Sequence, residues 1–167
     1  MTAVVGLDLS MTSTGVCEAD GKTWTVRTRD VGDRRLIEIV AAVAVSTRGA
    51  DLVVIEEAPP GLKGPAIKAV HMVHGAVRVA LLTQDLRYVA VNPTVLKRFA
   101  TGKAAADKTA MAMALFKRTG LEPANNDEVD AWWLRAAGLQ LLGEPVVELP
   151  AVQVAALEKL AGAVSGR

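Results

Sequence analysis

AVVGLDLSMTSTGVCEADGKTWTVRTR, Ala3 to Arg29, holds three short runs suited to strands, joined by short connections. Ala3–Leu9 is apolar except for one carboxylate, Asp8, and reads as a buried strand. Ser13–Ala19 and Lys22–Arg29 read as two more. The last of these alternates apolar and polar residues, and Asp20-Gly21 before it is a strong hairpin signal.

Beyond Arg29 the period changes. Asp33–Arg48 has helical spacing through Leu36, Ile37, Val40, Val43 and Ala44, with Gly49 placed to stop it. Asp51–Glu57 is another apolar run ending in carboxylates, and Pro59-Pro60-Gly61 forces a loop after it. Pro65–Leu82 is a helix apolar on most of its circumference, so one face suits the core and another a partner subunit. Arg87–Val91 reads as a fifth strand. Asn92 caps and Pro93 opens a short helix to Phe99. A loop over Ala100–Ala106 follows, then a helix capped by Asp107 and running to about Thr119. Asn125 or Asn126 caps the last long helix, to Leu142. Pro145 and Pro150 break the chain after it, and Val152–Ala161 suits one more short helix. Hairpin-like strands followed by alternating helices and strands predict an α/β sandwich built on a mixed sheet. Residues 1–143 are expected to form the domain and 144–167 a C-terminal tail.

At 167 residues, 51% hydrophobic and 22% charged, the chain can bury a core without disulfides or structural metal. No apolar run is long enough for a bilayer span, Met1–Gly6 lacks the pattern of a signal peptide, and the lone Cys17 fits a reducing compartment. A cytoplasmic protein is the expectation. Net charge is near neutral, but its distribution is uneven. Residues 1–60 carry six Lys/Arg against nine Asp/Glu, residues 61–118 ten against two, and residues 119–167 three against seven. A solvated basic face would account for the middle third by itself. Acids flanking that basic segment also suit a protein that grips a polyanion and sets carboxylates beside it.

Four acids stand where acids are costly. Asp8 interrupts a buried strand and Glu56 ends another. Asp127 and Asp130 are three apart on a helix, on the face continued by Ala131, Leu134 and Ala137 or Gly138, while Glu128 turns away along Trp132 and Arg135. The helix dipole favours acids in a first turn, which would explain Asp127 and Asp130 alone. If all four converge within about 5 Å, each pair repels by roughly 3 kcal/mol at an effective dielectric near 20. Divalent metal would relieve that repulsion, and all-oxygen ligands favour Mg2+ or Mn2+ over zinc. Two such ions suit in-line phosphoryl displacement. His71 and His74 lack further zinc ligands and fit packing or subunit contact better. VLKRFATGKAAADK, Val95–Lys108, is basic with only Phe99 among its charges, which favours nucleic-acid backbone contact over base stacking.

In order, GLDLSMTSTGV, VVIEEAP, VLKRFATGKAAADK and NNDEVDAWWLRAAG resemble the motifs of the RuvC-type Holliday junction resolvases of the RNase H-like superfamily, across residues 1–143. The composition, rich in Ala, Val and Arg, suits a bacterial or phage member. The resemblance implies an RNase H-like fold with a mixed five-stranded sheet, three antiparallel strands then parallel ones, flanked by helices. It implies a homodimer through the helix 65–82 that resolves branched DNA, four-way junctions above all, by hydrolysis with two Mg2+ ions for which Mn2+ substitutes. Asp8, Glu56, Asp127 and Asp130 match the family's metal-binding catalytic acids. Lys97 and Lys108 match lysines near the scissile phosphate, Lys108 in a catalytic role, and Arg98 and Lys103 would join them in holding the backbone. Pro59 stands where many members carry an aromatic wedge, Ala104 replaces a loop glycine behind Lys103, and the segment after Gly143 has no family counterpart. One rival is a relative acting on RNA or binding branched nucleic acid without cutting, though retention of all four acids argues against a dead site. A phosphotransferase of the actin and sugar-kinase type would need a second domain that 167 residues cannot hold.

Overall fold

The computed structural model describes residues 2–58, 61 and 64–165. β1 (Val4–Asp8), β2 (Ser13–Cys17) and β3 (Thr23–Arg27) form an antiparallel meander. Asp20 and Gly21 lie in the β2–β3 turn, with Gly21 left-handed at φ 91° as such a turn requires. β4 (Leu52–Glu56) and β5 (Tyr88–Val91) continue the sheet in parallel, in the order β3-β2-β1-β4-β5. This is the mixed five-stranded sheet expected above.

Helices cover both faces. A 3₁₀ turn over Gly32–Arg34 leads into α1 (Arg35–Ser46), which packs with α2 (Pro65–Thr83) over one face. Val5, Leu7, Val53, Ile55, Val73 and Val77 are buried between them. The other face carries α3 (Pro93–Thr101), α4 (Lys108–Thr119) and α5 (Asn126–Leu141). The caps follow the sequence. Asn92, Asp107 and Asn125 accept hydrogen bonds from the amides of Thr94, Ala110 and Glu128. α3 runs two residues past Phe99, into the expected loop. Gly102, left-handed at φ 81°, ends it by donating to the Arg98 carbonyl at 2.8 Å. Residues 151–165 form three short pieces rather than one helix: α6 (Ala151–Val154), a 3₁₀ stretch over Ala155–Leu160, and α7 (Ala161–Ser165). They pack back on the domain, with Leu157 1% exposed in the same core as Phe99 and Trp133. The Pro59-Pro60 turn and the wedge position at Pro59 lie outside the described residues.

α5 is the central helix, buried continuously from Ala131 to Leu139. Trp133 stacks edge-on to Phe99 of α3 at 6.0 Å, and its Nε1 donates to the Met111 carbonyl of α4 at 3.2 Å. Glycines bring α5 onto the sheet. A Cβ on Gly6 would collide with the carbonyl of Ala131 and come within 2.6 Å of the Arg135 nitrogen. One on Gly15 would collide with the Asp127 backbone, and one on Gly138 would stand 2.6 Å from Val54 Cγ2 and 2.7 Å from Val4 Cγ1. Because backbone cannot yield as a flexible side chain does, Gly15→Ala and Gly6→Ala should each lose about 2–4 kcal/mol of stability in urea unfolding. A loss within about 0.5 kcal/mol would mean that α5 does not sit this close.

Candidate active site

Strand alternation places the first two acids. In β1, Val4 and Gly6 face α5 while Val5 and Leu7 face α1 and α2, so Asp8 faces α5. In β4, Leu52 and Val54 face α5, and Glu56 follows them. The parallel register, Val4 with Leu52 through Leu7 with Ile55, brings Asp8 and Glu56 level at the strand ends. The contact of Gly15 with Asp127 sets the first turn of α5 there too, since Gly15 pairs with Asp8. Acids from three distant parts of the chain thus lie at one end of the sheet.

Their electrostatics agree with the geometry. Burial, then the charges of Glu56, Asp130 and Asp127, raise the Asp8 carboxyl well above its ordinary value. Burial and Asp130 push Glu56 up to about 7, against the opposing pull of Lys97 and Lys108. Asp130 is pushed up to about 6, chiefly by burial, with Asp127 adding to the rise and Lys108 and Lys97 opposing it. Among the described residues none donates a hydrogen bond to the carboxylates of Asp8, Glu56 or Asp130. Among the described residues only Lys22–Asp20 and Arg34–Asp30 form ion pairs. Asp127 accepts from the Ser13 hydroxyl, a partner 114 residues away that no local pattern signals. Nor, among the described residues, do three His, Cys, Asp or Glu side chains stand close enough to share an ion as placed. The all-carboxylate donor set itself fits a hard divalent ion.

Glu128 provides the internal contrast. It is more deeply buried than they are, and on the β3 side it accepts from Thr23 Oγ1 and Thr25 Oγ1, both at 2.9 Å, and from Asn125 Nδ2 at 3.0 Å. Hydrogen bonds to a charged group contribute about 1.5–3 kcal/mol each, enough to hold one carboxylate in place. Glu128 therefore anchors α5 to β3, a role that its position in the acidic run concealed. Thr23 and Thr25, two apart on β3 and so on one face, are the signal for it.

Lys97, half-buried on α3, and Lys108, at the start of α4, both act on Glu56 and Asp130, and Lys108 also on Asp8. Arg98 and Lys103 are exposed on the same segment. His74 is buried in α2, where burial and Arg78 push it down to about 4, so it stays neutral at ordinary pH. No helix among the described residues is long and apolar enough to cross a membrane.

A sheet of this order, with helices on both faces, is an RNase H-like fold. The solved structure of Thermus thermophilus RuvC aligns with a TM-score of 0.69 at 22% identity, covering 88% of this chain and 100% of that one. T. thermophilus RuvC in complex with Holliday junction substrate aligns at 0.71 and 21%, covering 89% and 100%. The chain has the RuvC fold. No family model matches the sequence, and no curated protein does.

The titrations carry a sign. Glu56 and Asp130 bind protons more tightly in the folded chain than unfolded carboxylates do, so stability should fall as pH rises from about 4 to about 7. In EDTA at about pH 8, Asp8→Asn removes an acid whose ionisation burial and its neighbours oppose, and should raise Tm by about 2–6 °C. A Tm that is unchanged or lower would mean that the acids do not strain one another.

Proposed function

We propose that this chain is a structure-selective endonuclease that resolves four-way or otherwise branched DNA junctions with divalent metal. The observation that carries this reading is the set of three half-buried carboxylates, Asp8, Glu56 and Asp130, without hydrogen-bond donors among the described residues and with raised pKa values. It occurs in a fold shared with a RuvC solved on a Holliday junction.

Asp8, Glu56, Asp127 and Asp130 would hold two Mg2+ ions, with Mn2+ able to substitute. Bound there, the metal would activate water and offset charge on the phosphate. The protein's own groups do the rest. The fixed ends of β1 and β4 and the first turn of α5 hold the acids in one place. The Ser13 hydroxyl orients Asp127. Lys108 lies within reach of three of the acids and would stabilise charge developing on the phosphate oxygens. Lys97, Arg98 and Lys103 would hold the backbone on either side, in a manner tolerant of sequence and weakened by salt. α2 would join two copies, since Val79 and Leu82 are both 63% exposed on it. A two-fold dimer would then meet a two-fold substrate.

The test offers purified protein synthetic four-way junctions, flaps and RNA hairpins with Mg2+. Junctions should be cut at symmetric positions, Asp8→Asn and Glu56→Gln should lose at least about 10³-fold, and Lys108→Ala about 10²-fold. Intact junctions, or equal cutting by Asp8→Asn, would overturn the proposal. Preferential cutting of RNA would reassign the substrate.

A further inference from the structure

The segment after Gly143 contributes no acid to the site, yet it holds one of the few buried polar side chains of the domain. Gln153 is 4% exposed. Its Nε2 donates to the Phe99 carbonyl at 2.7 Å, and its Oε1 accepts from Arg118 Nη2 at 3.4 Å. Phe99 lies in the last turn of α3, where backbone carbonyls lack partners within the helix. Gly102 serves the Arg98 carbonyl there; Gln153, 54 residues away, serves that of Phe99. A side chain from the end of the chain thus completes the cap of the helix that carries Lys97 and Arg98. Arg118 also donates to the Ala114 carbonyl, so the same amide ties α3 to α4.

The basic loop hangs from this helix end. Thr101 Oγ1 donates to the Lys97 carbonyl at 2.8 Å and accepts from the Lys103 amide at 3.1 Å. Gly102 lies over Gln153, whose Cγ would be 3.8 Å from a Cβ built there. Leu157, buried in the core, holds the segment that presents Gln153. Without the amide, the Phe99 carbonyl turns to water and the last turn of α3 frays, taking Gly102 and Lys103 with it.

We propose that Gln153 is a positioning residue for the nucleic-acid grip: by capping α3 it fixes the loop 102–107 and so the places of Lys97 and Lys103. This rests on the reading that these lysines hold nucleic-acid backbone. The proposal separates the grip from the chemistry, because Gln153 touches none of the four acids.

The test compares the full chain with Gln153→Met, which keeps length and buried volume while removing both hydrogen bonds. Amide hydrogen exchange is followed over residues 98–106. Affinity for a synthetic four-way junction is measured across a salt series with Ca2+ as the only divalent ion. The variant should exchange faster in that segment, bind about three- to tenfold more weakly near 0.15 M salt, and show a log–log salt slope shallower by about one unit for a lost phosphate contact. A merely structural role would lower Tm and leave the slope alone, so equal slopes overturn the proposal. If the unmodified protein binds no junction, the proposed function fails instead. The exchange rates then decide whether Gln153 holds the loop, and unchanged rates overturn that as well.

Discussion

The backbone of α5 lies against β1 and β2 at a distance that only glycine permits, and the arrangement of the acids follows from that approach. Gly6 and Gly15 face the helix where any side chain would strike its backbone. The contact at Gly15 puts the first turn of α5 at the end of β1, one residue pair from Asp8. The parallel pairing of β1 with β4 puts Glu56 level with Asp8. A larger residue at either glycine would lift the helix and separate Asp127 and Asp130 from the strand-borne acids. The apolar burial of Trp133 and its neighbours supplies the force that holds the helix down, and the glycines decide where it stops.

That arrangement opposes stability. The amide ends at the start of α5 favour nearby negative charge by about 0.3–1 kcal/mol. Burial and mutual repulsion outweigh it, since the carboxyls of Asp8, Glu56 and Asp130 are all raised. Glu128 is the acid the fold uses for itself, and it is fully provided with threonine and asparagine donors. Asp8, Glu56 and Asp130 receive none among the described residues, and all three bind protons unusually tightly. On the proposed function, a fold that satisfies the buried Glu128 and leaves three other acids without donors would suit a cation better than its own stability.

Much of this was legible in the sequence because the relevant signals are local. Alternation in Ala3–Arg29, the hairpin at Asp20-Gly21 and the caps at Asn92, Asp107 and Asn125 depend on neighbours a few residues apart. The acids were conspicuous because each contradicts its surroundings. Periodicity turned Glu128 away from the other acids, but its role was hidden because its threonine donors on β3 are 105 and 103 residues away. Ser13 beneath Asp127, and Gln153 beneath Phe99, are partners across 114 and 54 residues, and no local spacing encodes such pairs. The helix end at Thr101 was displaced for a similar reason: Gly102 sets it, and the amide that secures it comes from beyond Pro150.

The lysines complete the argument. Lys97 and Lys108 stand near enough to draw the titrations of Glu56 and Asp130 downward, yet neither closes an ion pair with them. Had they done so, the charges would cancel within the protein and nothing would remain for a ligand. α3 is held by the contact of Phe99 with Trp133, and α4 by the bond from Trp133 to the Met111 carbonyl, so both lysine-bearing helices are referred to the same α5 that carries the acids. Positive and negative groups are therefore kept apart by a rigid frame rather than by chance. On the proposed function that gap is where a phosphodiester belongs: acids on one side for the cation, lysines on the other for the phosphate oxygens, and a separation that neither can close alone.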